Sequence, residues 1–410
     1  MKGLICLSWK VVLAILTCNV VLMSASYTML IPFLPMYLIK DLGVTDNINM
    51  WSGIIFSVSF IFSAIMAPIW GKLADKKGRK PMAVRAGIGL AITYYLCGIV
   101  NTPFQLMIAR ILQGLAAGLW PAELAIMSSY APKEKLGFCM GVMQGGLTAG
   151  GVIGPLLGGV LASVFGMRFS FFIAAGALGL ITLITLIFIK EPPREQKSAE
   201  QLSLAKEAEK INLLKVPMIR RMLECAIIIQ MAILILQPIL TIYIAKLNQS
   251  MDNVVMLSGI VFSLGGFAGA ISAPLWGRYG QSHGFFRTMC ITLAGTGFIL
   301  VIQSLPSSLI PFAILQFMCG LFYSGVYPSI NSLLVKHSPA EQRGRIFGLM
   351  FSAQQIGSTI GPLVGGFIAT ILGLKFVFIF AGGLLFITSA FMHFKPPKGL
   401  QSSKNENFAN

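Results

Sequence analysis

Charge is what this sequence has least of. Asp, Glu, Lys and Arg make up 11% of its 410 residues, against 56% hydrophobic ones, and such a chain cannot dress the surface of an ordinary soluble globule. Histidine and cysteine are also sparse. His283, His337 and His393 lie far apart, and cysteines 6, 18, 97, 139, 225, 290 and 319 form no CxxC pair, so neither a metal site nor a disulfide frame is expected. There is no GxxxxGK[ST] phosphate loop, which excludes a P-loop nucleotide-driven machine. No Ser/His/Asp or His/Cys constellation points to an enzyme, and no loop reads as a selectivity filter. No cofactor is expected.

What fills the chain instead is a series of long charge-free runs. Residues 11–39, 47–71, 86–109, 136–167, 169–189, 225–245, 253–277, 346–374 and 376–394 contain no Asp, Glu, Lys or Arg. A bilayer core takes about 20 apolar residues per helix, so each supplies one span. The run 288–335 is long enough for two, divided at the Ser304–Leu309 turn, and a further span covers 105–130 around Arg110 and Glu123. The expected fold is all-α, with twelve transmembrane helices. The first run has no small-residue cleavage site and reads as a span, not a removable signal.

The formal charge of +17 would suit a nucleic-acid surface, but its distribution argues for a membrane. With the N-terminus inside, every Lys and Arg except Lys40, Arg110, Arg168, Lys246 and Lys375 falls on the cytoplasmic side, which is the positive-inside bias. Both termini are therefore expected in the cytoplasm, lipid is the expected partner, and nucleic acid is not.

An internal repeat sets the architecture. Ala67–Gly71 (APIWG) recurs as Ala273–Gly277 (APLWG), Gly114 maps to Gly320, Pro121 to Pro328, and Gly154–Gly159 (GPLLGG) to Gly361–Gly366 (GPLVGG). The reading is two parallel six-helix bundles, residues 1–190 and 222–394, with a cytoplasmic linker at 191–221 and a tail at 395–410. Parallel repeats around a midplane site describe a secondary transporter.

Three motifs carry chemistry. Gly71–Lys80 (GKLADKKGRK) joins the second and third helices; its cations suit the anionic inner leaflet, and Asp75 suits a helix N-terminus. In the second half Gln281 stands opposite Asp75 and Phe285 opposite Arg79. Leu106–Gly118 opens the fourth helix with Arg110, a charge that needs acceptors if buried or else snorkels to the interface. Gly150–Gly159 places small residues on one face of the fifth helix, allowing close helix contact; Gly357–Gly366 repeats it, so plain packing is the competing reading.

These motifs and the repeat resemble the major facilitator superfamily over the whole chain. Met29–Leu38 and Gln237–Ile244 look like its MdtG-like multidrug:proton antiporter group. The resemblance implies a monomeric transporter of the bacterial inner membrane that exports amphipathic drugs or toxic small molecules in exchange for protons. An exporter of one metabolite, such as a sugar or siderophore, is the alternative, and proton-coupled uptake a third. It further implies gating by Gly71, Asp75, Gly78 and Arg79, proton coupling by Arg110, and an antiporter motif of Gly150, Gly154, Pro155, Gly158 and Gly159. Its cavity lies among helices one, four, seven and ten, where Asn19, Tyr27, Trp120, Gln230, Gln237, Tyr323, Tyr327, Asn331 and Gln354 are the candidate lining.

Glu123 is the one carboxylate well inside an expected helix. It reads as a proton-coupling acid or as a carboxylate near the inner mouth, solvated or bonded to backbone. Thirteen residues from Arg110, it stands about 220° away round a continuous helix, so the two are not expected to share a face. Asp75, Arg110 and Glu123 have Gln281, Gln316 and Ile330 as repeat mates. Proton handling and gating are therefore expected of the first half and neutral substrate surface of the second.

Overall fold

The computed structural model describes residues 8–132, 135–190, 213–249, 253–338 and 343–397. Among these, sixteen α-helices and one 3-10 turn account for the architecture. They are α1 (Trp9–Thr28), α2 (Leu34–Lys40), α3 (Ile48–Lys77), α4 (Arg79–Ile99), α5 (Pro103–Ala116), α6 (Leu119–Tyr130), α7 (Leu136–Phe165) and α8 (Met167–Phe188), then α9 (Pro217–Leu234), α10 (Gln237–Asn248), α11 (Val254–His283), α12 (Phe285–Ile302), α13 (Leu309–Tyr323), α14 (Val326–Lys336), α15 (Arg343–Ile371) and α16 (Leu374–Phe394). Inside a bilayer every backbone amide must be bonded within its own helix, which is why charge-free runs become helices throughout.

Eleven helical segments are long and apolar enough to cross a membrane. The twelfth span is α15, of 29 residues, whose apolar character is diluted by Gln354, Gln355 and its glycines. Large apolar side chains such as Ile65, Phe104, Phe165 and Ile187, and Phe298, Ile310 and Ile387, stay exposed in the protein, a pattern that suits lipid and not water.

The chain forms two compact units. One holds Met1–Arg194 with Pro238–Ser263, and the other Glu195–Gln237 with Leu264–Asn410, as far as these ranges are described. In the first, α1 packs along α7, α4 along α8 and α3 along α5; in the second, α9 packs along α15 and α12 along α16. Most of the expected linker, with its candidate surface helix, and most of the tail lie outside the described residues. The helix after the linker begins at Pro217, ahead of the expected residue 222, because proline at a first helical position gives up an amide that would be unbonded anyway.

Four expected spans are not continuous. The chain leaves helical geometry between α1 and α2, α5 and α6, α9 and α10, and α13 and α14, so spans one, four, seven and ten each consist of two pieces. Proline follows several of these breaks: Pro35, Pro121, Pro238 and Pro328. Lacking an N–H, each leaves one upstream carbonyl without its helical donor.

The loop after α2 carries an ion pair, Arg168 Nε to Asp41 at 3.5 Å. Partial burial pushes the Asp41 carboxyl above its ordinary value, outweighing the downward pull of Arg168 and Lys40. The folded state therefore holds this proton more tightly than the unfolded chain, and the group subtracts stability as pH rises from the unfolded carboxylate value through the folded one. Asp41→Asn is expected to flatten that slope. Thermal unfolding between acidic and neutral pH should show a gain within about 1 kcal/mol at the upper end.

Candidate transport site

Arg110 sits on α5 and is 2% exposed. Its Nε donates to the Ile55 carbonyl at 3.3 Å and its Nη1 to Gln113 Oε1 at 2.5 Å, with the Phe56 ring 5.9 Å away. Arg110 is thus anchored inside the unit by neutral acceptors and does not snorkel. No carboxylate pairs with it among the described residues.

Glu123 sits on α6 and is 0% exposed. Neither carboxylate oxygen has a hydrogen-bond partner among the described residues, and the Asn19 amide lies alongside. Asn19 Nδ2 donates to Thr185 Oγ1 at 2.8 Å, so this expected cavity residue is a buried brace between α1 and α8. The reading of Glu123 as a solvated group at the inner mouth does not survive its burial. The 220° separation does not hold either, because α5 and α6 are separate helices meeting at Ala117 and Gly118.

Of the other first-unit candidates, Tyr27 is 38% exposed and meets Phe60 edge-on at 6.2 Å. Trp120 is half-buried against the unit's core.

The charged loop is tighter than its composition implies. Gly78 joins α3 to α4 at φ +107°, a conformation that favours glycine, while a side chain at Gly71 would meet open space. Asp75 falls in the last turn of α3; its side chain lies outside the described residues. Arg79 turns its guanidinium onto α6. Its Nη1 lies against the Ala125 carbonyl and the Ser128 and Ser129 hydroxyls at the end of α6. Lys80 Nζ donates to the Leu186 carbonyl at 2.8 Å near the end of α8. Both cations sit toward helix C-termini, where the partial charge is negative.

The small-residue motif faces two ways. Gly150, Gly154 and Gly158 of α7 press on the α1 backbone around Val21, Ala25 and Met29. Gly159 instead lies against Val255 and Met256 of α11, and the Pro155 carbonyl against Gly259. Gly357, Gly361 and Gly365 of α15 repeat the first arrangement on α9, against Ile227, Met231 and Ile235.

In the second unit the charge positions are neutral. Gln316, the mate of Arg110, accepts from Gln303 Nε2 at 2.7 Å, and Ile330, the mate of Glu123, is fully buried. Three helices assemble a polar cluster there: the Tyr327 hydroxyl donates to Gln230 Oε1, and Gln230 Nε2 donates to Ser358 Oγ at 3.2 Å. Gln354 and Tyr323 flank the same hydroxyl, with the Tyr323 ring 6.0 Å from that of Tyr327. Asn331 buries an Oδ1 that has no partner among the described residues. Gln237 opens α10. Ser358 was not among the expected residues; a lone serine in an apolar helix carries no signal of its own.

Membrane-length helices with an internal repeat, broken at every third span and holding buried polar clusters, define a multi-pass membrane transporter, not an enzyme. The chain belongs to the Major Facilitator Superfamily, whose model matches residues 16–302 and again 222–409. Multidrug resistance protein MdtG of Proteus mirabilis is 34% identical over 399 residues, covering 95% of this chain and 98% of that protein. MdtG of an Escherichia coli strain is 34% identical over 388 residues, covering 94% of each. The same fold occurs in a bacterial homologue of the human lysosomal transporter Spinster (TM-score 0.76, 16% identity, 94% and 96% covered). It occurs also in a D-xylose–proton symporter (TM-score 0.75, 14% identity, 94% and 97% covered).

Proposed function

We propose that this transporter exports amphipathic small molecules across a bacterial inner membrane in exchange for protons, by alternating access of two six-helix bundles. The bundles are residues 1–190 and 222–394, joined by a cytoplasmic linker, with both termini inside and one chain as the working unit. The observation that carries the reading is Glu123, a carboxylate deep in a membrane bundle with no ion-pair partner among the described residues and only the Asn19 amide alongside. Ionised, it has one neutral amide and no cation among the described residues to offset its lost hydration, a cost of several kcal/mol. Charge there must be balanced by a proton or by a cation arriving with the solute, and alternation between the two is antiport. Arg110, Asp75 and Arg79 lie in the same half of the sequence and serve coupling and gating. The Gln230, Tyr327, Gln354 and Ser358 cluster offers uncharged hydrogen bonds and aromatic faces to varied ligands. The name shared by the relatives at 34% identity supports drug export.

The test is the susceptibility of a pump-deficient bacterium expressing this chain, across many compounds, with and without a protonophore. Broad resistance that the protonophore abolishes is expected. Resistance to none, with a single metabolite leaving the cells, would replace the reading by dedicated export.

A further inference from the structure

The break between α5 and α6 separates the two embedded charges, Arg110 on one piece and Glu123 on the other. Its local chemistry is unusual. Pro121 has no N–H to offer the Ala117 carbonyl, and Gly118 adopts φ +118°, so the last carbonyls of α5 lose their helical donors. Two side chains replace them. Trp70 Nε1 donates to the Leu115 carbonyl at 2.9 Å. Arg85 Nη1 donates to Ala116 at 3.3 Å and Nη2 to Ala117 at 3.1 Å. The Arg85 guanidinium lies 3.7 Å from the centre of the Trp70 ring, so each holds the other in place. Three successive carbonyls are thereby bonded, and a cation stands at a helix C-terminus, where it is favoured.

The second unit shows what the same break needs when no charge has to be placed. Trp276, the repeat mate of Trp70, donates to the Leu321 carbonyl at 2.6 Å. The mate of Arg85 is Ile291. The Phe322 ring lies 5.8 Å from that of Trp276, and the break is closed by Ser324, which donates to Leu321 at 3.2 Å and bonds Ser272 at 2.8 Å. The indole clamp is shared; the arginine belongs to the unit with Arg110 and Glu123.

We propose that Arg85, clamped on Trp70, is a positioning residue that locks the α5–α6 break and so sets where Glu123 stands relative to Arg110. Arg79 holds the other end of α6, which leaves the Glu123 segment suspended from α4 at both ends. The inference rests on Glu123 as the proton-exchanging group. The elements packed against α6 are α4, α1 and α7. Their titratable or charged groups are Arg79, Lys80, Arg85, Tyr94, Tyr95 and Cys97 on α4, Lys10, Cys18 and Tyr27 on α1, and Cys139 on α7. None forms an ion pair with Glu123 among the described residues, so its position is the variable the lock controls.

The test uses the full chain in lipid vesicles and reads Glu123 directly, by the pH dependence of its modification with dicyclohexylcarbodiimide, which requires a protonated carboxyl. Arg85→Lys keeps the charge but not the planar two-carbonyl fork, and Trp70→Phe keeps the ring but not the N–H. Both are expected to displace the labelling midpoint by about one pH unit. Both should also speed amide exchange at 115–120 by about tenfold. Trp276→Phe is expected to leave the labelling midpoint where it is. Unmoved midpoints in both first-unit variants, or an equal displacement by Trp276→Phe, would overturn the lock. If the midpoint moves as expected while wild-type transport ignores the pH gradient, the lock stands and proton antiport falls.

Discussion

Glu123→Gln is expected to abolish transport driven by a pH gradient while leaving the protein folded. Glutamine matches the shape of the side chain and makes no charge, so the packing of α6 against α1 and α4 is undisturbed. The carboxylate it replaces is fully buried, with no ion pair among the described residues, and the glutamine amide can still meet the Asn19 side chain beside it. Unfolding of the purified protein should occur at about the same temperature, since the amide replaces a neutral carboxyl of the same size and polarity. Gradient-driven efflux of ethidium, by contrast, should fall about 100-fold, the scale on which removal of a proton-transfer group is felt. The control is the other helical glutamate of known surroundings. Glu224 pairs with Arg220 at 3.7 Å and Arg221 at 3.4 Å, with 46% of its side chain exposed, and such pairs contribute about 0–1 kcal/mol. Glu224→Gln should change neither reading. Equal pH dependence in Glu123→Gln and wild type would remove Glu123 from the mechanism.

Spans and repeat were legible because both rest on what lipid forbids. A charge in hydrocarbon is expensive wherever it falls, so its absence marks a span without reference to tertiary structure. The breaks in spans one, four, seven and ten were not legible by the same means. Hydropathy is blind to whether an apolar stretch is one helix or two, and Gly118 with Pro121 reads equally well as a kink. Treating 105–130 as one helix then carried an error into the angle between Arg110 and Glu123. Arg85 shows a second limit. Six residues beyond Arg79, it counts in the sequence as one more cytoplasmic cation, yet it is turned onto Trp70 and two carbonyls. The recurrence of that tryptophan in APIWG and APLWG was the available clue, since nothing else explains a repeated indole beside a repeated break. Among the candidate lining residues, Asn19 proved to be a brace, whereas Gln230 and Tyr327 bond each other across helices. An amide on an apolar helix looks the same in either role, because its partner sits far away along the chain.

The small-residue motif divides into positions that build the bundle and one that faces elsewhere, and alanine substitutions should separate them. A methyl at Gly154 would stand 2.6 Å from the Ala25 carbonyl, and at Gly361 2.7 Å from that of Met231. These are backbone atoms of a helix that cannot yield without moving. Gly154→Ala and Gly361→Ala should each cost about 2–4 kcal/mol by overpacking, seen as lost folded yield and a lower unfolding temperature in both halves alike. Gly151→Ala, with the Ser24 hydroxyl 3.7 Å away, should be silent. Gly159 is the informative position. Its methyl would lie 3.0 Å from the Val255 carbonyl and 3.1 Å from Met256 Cα, tight but within reach of a few tenths of an ångström of adjustment. Gly159→Ala should fold and yet slow efflux, because α11 and not α1 has to give way. Loss of efflux from Gly154→Ala in well-folded protein, with Gly361→Ala silent, would instead assign the whole motif to antiport and make its repetition in α15 incidental.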